Sequence, residues 1–409
     1  MRVIHQDGGQ RREARTMRRS RFWAAISLMA LVAWFAAPLA PVQAAGTLKI
    51  GMILAMTGPG AFYGQVMSRG AQVTVDQINR AGGIGGYTLE LVIEDHKSGD
   101  AEAAVTGARK LLDVDKVPVI LTSYSAPTLA IQPLAVEKKV LLLNGGGVGS
   151  SLVGKPTLYN TRMLSSQTAP FVVQWATGKL RAKRIATLFW NDAAGQGVNG
   201  AIKETCAKLG CQVVAEEPHD IGAKNYSPQL ARIRAARPDA LALGTFGDDV
   251  GYILNQGRAY GLTVPILGVD WTPNAQKIGG KAIEGYVIAV DRFDPSGGDD
   301  KTKTFAEAYR AAYKETPEFY AANYYEHVQF ILRPLIQRVV ARGSDPTKPG
   351  EILAEMQKAL AEHFAFQSVY GGEMQLHPDG TVTKPLGVYE VKDGNLALIG
   401  RIVGGKIQP

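Results

Sequence analysis

Between Thr47 and Asp95 the apolar positions switch period twice. Residues 48–54 are a short apolar run with no charge after Lys49, the pattern of a buried strand. Thr57-Gly58-Pro59-Gly60 interrupts it. Met67, Ala71, Val75 and Ile78 then recur at helical spacing, with Arg69, Asp76 and Arg80 on other faces. Gly82-Gly83 stops the predicted helix and Gly85-Gly86 turns the chain. Leu89, Leu91 and Ile93 alternate as the next strand. Strand, helix and strand in that order predict a βαβ unit. The loop after its first strand, where ligands of open parallel sheets sit, carries Tyr63.

The alternation continues. Ala104, Ala108, Leu111 and Leu112 mark a helix face. Strands are predicted at 117–122 and 140–143, with a helix from Pro127, well placed for a first turn, to about Lys138. A second block starts after about Arg162. It has strands at 185–190, 211–215, 240–245, 264–269 and 285–290, and helices at 196–209, 228–236 and 249–260. Repeated β-α alternation predicts parallel sheets covered by helices on both faces, and two blocks predict two lobes. Then the rhythm changes. Residues 301–314, 319–342 and 350–363 read as three helices, and short strands separated by glycine turns occupy 366–403.

The run MTGPGAFYG after the first strand, DQINRAGGIGG at the end of the helix and EDH closing the second strand resemble the amino terminus of bacterial branched-chain amino-acid (Leu/Ile/Val-type) solute-binding proteins. The same rhythm extends from Thr47 to about Gly400. The resemblance implies the type I periplasmic binding fold: two doubly wound α/β lobes joined by a hinge that the chain crosses three times. It places lobe one at 45–163 plus 292–371 and lobe two at 164–291 plus 372–409. Such a hinge bends but resists translation, which suits closure on a ligand. The implied function is a periplasmic receptor for an ABC importer. Its partners would be a small-molecule ligand and the membrane permease, with no cofactor, no metal and no covalent step, and the chain is expected to be a monomer. A ligand sensor on the same fold is the competing reading, and an enzyme a more distant one.

Charge changes this picture little. The net +8 is concentrated at the start, where residues 1–44 hold seven arginines against Asp7 and Glu13, leaving about +3 for the remainder. No compact basic cluster follows, so nucleic-acid binding is not supported. Arg18, Arg19 and Arg21 precede an uncharged run from Phe22 to Ala40, and Val42-Gln43-Ala44 supplies small residues for cleavage. This predicts a signal peptide over 1–44, cut after Ala44, with Met1 or Met17 as the start. An uncleaved anchor is the alternative, and the spacing after Arg18-Arg19 is poor for twin-arginine export. Cys206 and Cys211 can bridge in an oxidising compartment or remain two thiols; closing so short a loop gains little entropy.

Several enzyme signatures fail. Gly149 to Lys155 matches most of a phosphate-binding loop, but Pro156 stands where Ser or Thr must reach magnesium. Gly145-Gly146-Gly147-Val148-Gly149 lacks the third glycine of a dinucleotide loop. His96, His219 and His377 lie in loop-like stretches and read as surface residues. Asp248-Asp249 reads as an acidic pair favouring a helix dipole.

What remains is a set of polar and aromatic residues at strand ends. A zwitterion needs hydroxyl and N–H donors for its carboxylate, a carboxylate for its ammonium and an apolar wall for its side chain. Ser125, at the mouth of a helix, either caps it or offers its hydroxyl; by resemblance it holds the ligand carboxylate. Gly147 matches a backbone N–H donor to the same group, or is a tight turn alone. Asp270 matches the acid that receives the ammonium, or caps the next helix. Tyr63 and Phe246 match aromatic walls. Two departures matter. Val148 replaces a threonine that would hold both ends of the zwitterion, and Ala194 stands where many relatives have a tyrosine. A lost hydrogen bond to a buried charge is worth roughly 1.5–3 kcal/mol. An aromatic acid or an amide is therefore an alternative to an aliphatic amino acid. Tyr124, Trp190 and Trp271 add aromatic surface nearby.

Overall fold

A computed structural model describes residues 46–409; the expected leader and its cleavage site lie outside them. The first sheet has the order β2-β1-β3-β4-β5. Its strands are β1 (Gly46–Leu54), β2 (Tyr87–Asp95), β3 (Val119–Thr122), β4 (Leu141–Asn144) and β5 (Leu158–Asn160). All its pairings are parallel. Every residue of β3 and β4 is buried, as expected of parallel strands covered on both faces.

The second sheet uses β6 (Arg184–Trp190), β7 (Gln212–His219), β8 (Ala240–Gly244), β9 (Ile266–Gly268) and β10 (Val287–Asp291) in the parallel order β10-β9-β8-β6-β7. The chain's end extends it antiparallel. After a small ribbon, β11 (Phe366–Gln367), β12 (Glu373–Leu376) and β13 (Val382–Thr383), come β14 (Leu386–Lys392), β15 (Asn395–Val403) and β16 (Lys406–Gln408). Strand β14 pairs antiparallel with β10. The two sheets are separate.

The chain passes between them three times. It leaves the first sheet after β5. It leaves the second after β10, to form helices that pack back on the first. It returns through Lys384 into β14. The return packing is close. A Cβ on Gly70, in helix Ala61–Arg80, would lie 2.1 Å from the Ala321 carbonyl oxygen of helix Phe319–Glu326. Glycine is the residue that lets these backbones meet.

Three local features differ from the sequence expectation. The helix predicted over 319–342 is two helices, Phe319–Glu326 and Arg333–Ala341, joined by a wide π turn at His327–Leu332. Pro334 has no N–H for the α-helical ladder, and the wider turn precedes it. Helix Ser165–Gly178 has Pro170 inside it and a polar first turn, which hid it. Strand β5, three residues long, was too short to register. Cys206 and Cys211 form a disulfide joining the end of helix Ala193–Leu209 to the start of β7, with Cα atoms 4.7 Å apart.

Candidate ligand-binding site

The carboxyl ends of β1, β3 and β4 face those of β6 and β8 across one cavity. From the first side come Tyr63 and Met67 of helix Ala61–Arg80, Tyr124 after β3, and Gly146, Gly147 and Val148 after β4. From the second come Trp190 at the end of β6, Ala194 in the following helix and Phe246 after β8. Tyr320 of helix Phe319–Glu326 completes the lining. The space left between these walls is only ≈ 20 Å³, room for about one water. The walls must part to admit a solute.

The rings form a continuous chain. Tyr320 meets Tyr63 at 4.8 Å between centroids, Tyr63 meets Tyr124 edge-on at 6.3 Å, Tyr124 lies nearly parallel to Trp190 at 6.0 Å, and Trp190 meets Phe246 at 5.1 Å. Tyr124 is held in an uncommon backbone conformation, φ 63° and ψ 143°, immediately before helix Ser125–Lys138. Such geometry persists where surrounding structure enforces it, and it clusters at binding sites. Gly60 is part of that enforcement: a Cβ there would sit 2.0 Å from Tyr124 Oη.

The polar residues lie just behind these rings, and each has protein partners. Asp270 is completely buried and does not line the cavity. Its Oδ2 accepts from Tyr63 Oη at 2.6 Å and from the Gly247 N–H at 2.9 Å; its Oδ1 accepts from Tyr320 Oη at 2.9 Å. Tyr320 in turn accepts from the Arg162 guanidinium. Burial raises the Asp270 carboxyl above the usual range, and Arg162 and these donors oppose the shift. Burial, then the Asp270 charge, push the Tyr63 phenol well up, so it stays a neutral donor. Ser125 is buried outside the lining, and its Oγ accepts from the Gly149 N–H at 2.9 Å. The Gly147 N–H donates to Asn144 Oδ1 at 2.8 Å. Gly146 makes only a 3.4 Å contact to the same oxygen.

Of the residues singled out from the sequence, the structure brings Tyr63, Gly147, Val148 and Phe246 to the cavity, together with Tyr124, Trp190 and Ala194. Ser125 and Asp270 stand behind it. Trp271 is outside it, its indole N–H donating to Gln276 Oε1 at 3.3 Å. Met67, Gly146 and Tyr320 were missed. Met67 fits a core stripe, and Tyr320 lies in an aromatic run far along the chain with no strand-end signal.

Three further expectations are corrected. His96 and His219 are buried, not surface residues. His96 Nδ1 accepts from the Gly99 N–H at 3.0 Å, which leaves Nε2–H to face Ser123 Oγ at 3.0 Å. His219 Nε2 lies 2.9 Å from Thr245 Oγ1. Asp249 does more than favour a helix dipole. It is buried and accepts from Trp190 Nε1 at 2.9 Å and from the Gly222 N–H at 2.8 Å, fixing a ring of the cavity wall.

Comparison with known proteins gives concordant findings. A family model described as periplasmic binding protein matches residues 47–395. The leucine-, isoleucine-, valine-, threonine- and alanine-binding protein of Pseudomonas aeruginosa is 25% identical over 342 residues, 83% of this chain and 88% of that protein. Among solved structures, the branched-chain amino acid transporter substrate-binding protein LivJ of Streptococcus pneumoniae, in complex with isoleucine, is similar with a TM-score of 0.74 and 25% identity. The match covers 86% of this chain and 98% of that one. A solute-binding protein of an ABC transporter from R. palustris, in complex with benzoate, has a TM-score of 0.76 and 22% identity, over 87% and 96% of the two chains.

Proposed function

Because this chain belongs to the periplasmic binding protein family, we propose that it is the solute-binding component of an ABC importer. Its ligand is a branched-chain amino acid or a related small carboxylate or amide. The observation that carries this reading is the cavity between the carboxyl ends of two parallel sheets, walled by rings from both sides. The relatives that bind leucine, isoleucine and valine support the same class.

The lobes are 45–163 plus 292–371 and 164–291 plus 372–409. Lobe one offers the Gly146–Gly147 turn to a carboxylate, with Ser125 behind it accepting from the Gly149 N–H. Lobe two closes Phe246 and Trp190 over it, with Asp270 behind them holding the Tyr63 and Tyr320 hydroxyls. No residue has to bond covalently to the solute, and the closed surface is what a permease would engage, with the receptor acting as a monomer. The leader ahead of Thr47 would place the protein in the periplasm after cleavage at Ala44.

Ligand-induced thermal shift tests this directly, since a ligand at 100 times its Kd stabilises by about 2.7 kcal/mol. Leucine, isoleucine, valine, small aromatic acids and short amides form the panel. At least one should raise the melting temperature, and deleting the gene should abolish uptake of that solute. Uptake that survives deletion would leave a sensor rather than a transport receptor.

A further inference from the structure

The cavity contains a slot. Tyr124, from the loop after β3, and Trp190, at the end of β6, belong to opposite sheets, yet their rings are inclined by only 25° with centroids 6.0 Å apart. A flat ring stacked between two others needs about 7 Å, twice the carbon–carbon contact distance. A hinge opening that brings the two faces to that separation creates a space one ring thick. A branched aliphatic side chain is thicker and would have to force the faces further apart.

Both faces are held in place. Trp190 is fixed by its bond to Asp249. Tyr124 is braced edge-on by His96, at 4.9 Å, and by Tyr63. Phe246, tilted 55° to Trp190, borders the slot. Edge contacts of this kind favour an aromatic occupant.

The polar groups point the same way. Asp270 is the acid an ammonium would need, but it already accepts three hydrogen bonds, from Tyr63, Tyr320 and Gly247, and lies outside the cavity lining. Arg162, linked through Tyr320, already supplies a compensating positive charge. Val148 has no hydroxyl to hold an amine. Gly146, in the lining, has a backbone N–H with only a long internal contact, suited to an anionic oxygen.

We infer that the solute is a flat aromatic carboxylate without an ammonium group, stacked between Tyr124 and Trp190. The inference rests on the solute-binding reading and narrows its ligand class.

Titration calorimetry of the full exported chain tests it with benzoate, phenylacetate, cinnamate, leucine and phenylalanine. At least one of the three aryl acids should bind about 10-fold or more tightly than both amino acids. Trp190→Leu and Tyr124→Leu, checked for folding by circular dichroism, should each weaken that acid by about 10-fold, the upper range for an aromatic pair. Leucine or phenylalanine binding as tightly as every aryl acid would overturn the ligand class while leaving solute binding intact. No heat with any of the five would overturn the aryl-acid class, while the wider thermal-shift panel decides solute binding separately. Unchanged aryl-acid affinity in a folded leucine variant would overturn the slot. The wild-type panel decides the ligand class even where a variant does not fold.

Discussion

His96 presses edge-on against Tyr124, so one wall of the cavity depends on a buried imidazole. Burial lowers its pKa from 6.5 to about 4, opposed by a backbone hydrogen bond and by the Asp95 and Asp100 charges. The sign follows from the neutral form being the folded one. The unfolded chain takes up a proton below about pH 6.5, and the folded chain does so only near pH 4. Stability from this group is complete above pH 6.5 and is lost as pH falls toward 4. Between pH 7 and 5 the loss is on the order of 2 kcal/mol. Urea melts at the two pH values should show a smaller drop for His96→Gln than for wild type. An equal drop would remove the imidazole as its source. The sequence did not disclose this role, because a histidine after a strand looks the same whether the loop folds over it or not. Asp249 was misread for the same reason. Its place at a helix start was visible, but the indole it binds is 59 residues away in sequence. Tyr63, Phe246 and Trp190 were legible because strand ends in parallel sheets converge on one line.

At the scale of elements, the helix pair Ala61–Arg80 and Phe319–Glu326 sets where Tyr63 and Tyr320 meet. Their contact depends on Gly70, which leaves the Ala321 carbonyl no room for a side chain. Gly70→Ala should force the helices apart and cost about 1–3 kcal/mol, the usual range for overpacking. It should also weaken ligand binding, because the two hydroxyls that hold Asp270 would shift. A denaturation midpoint equal to wild type would show that the helices accommodate a methyl group. The βα alternation of both sheets was readable from period alone. What period could not give was the pairing of these two helices, which are some 240 residues apart, or the break before Pro334. Long-range backbone approach leaves only a glycine in the sequence, and glycine has many other uses.

At the scale of the whole molecule, each of the three passages between the sheets carries a buried ionisable side chain: Arg162, Asp291 and Lys384. Arg162 Nε lies 3.9 Å from Asp291 Oδ2, so the first two passages are tied by charge. Lys384 reaches back from the third to Glu326, with Nζ–Oε2 at 2.6 Å and both side chains fully buried, and to Asn323 Oδ1 at 3.0 Å. Its ammonium also lies 4.3 Å from the centre of the Tyr370 ring. Removing one partner of such a pair strands the other charge in the interior. Lys384→Met should therefore cost about 3–5 kcal/mol. Replacing both, as Lys384→Met with Glu326→Leu, should recover most of that loss, since a buried pair is often matched by apolar residues of similar volume. Chemical denaturation of wild type, single and double variants measures the difference. If the single variant is as stable as the double, Glu326 is not held as a charge by Lys384. If the double recovers stability but binds solute more weakly, the pair serves to fix the angle at which the lobes meet, because Asn323 and Glu326 stand on the helix that also carries Tyr320.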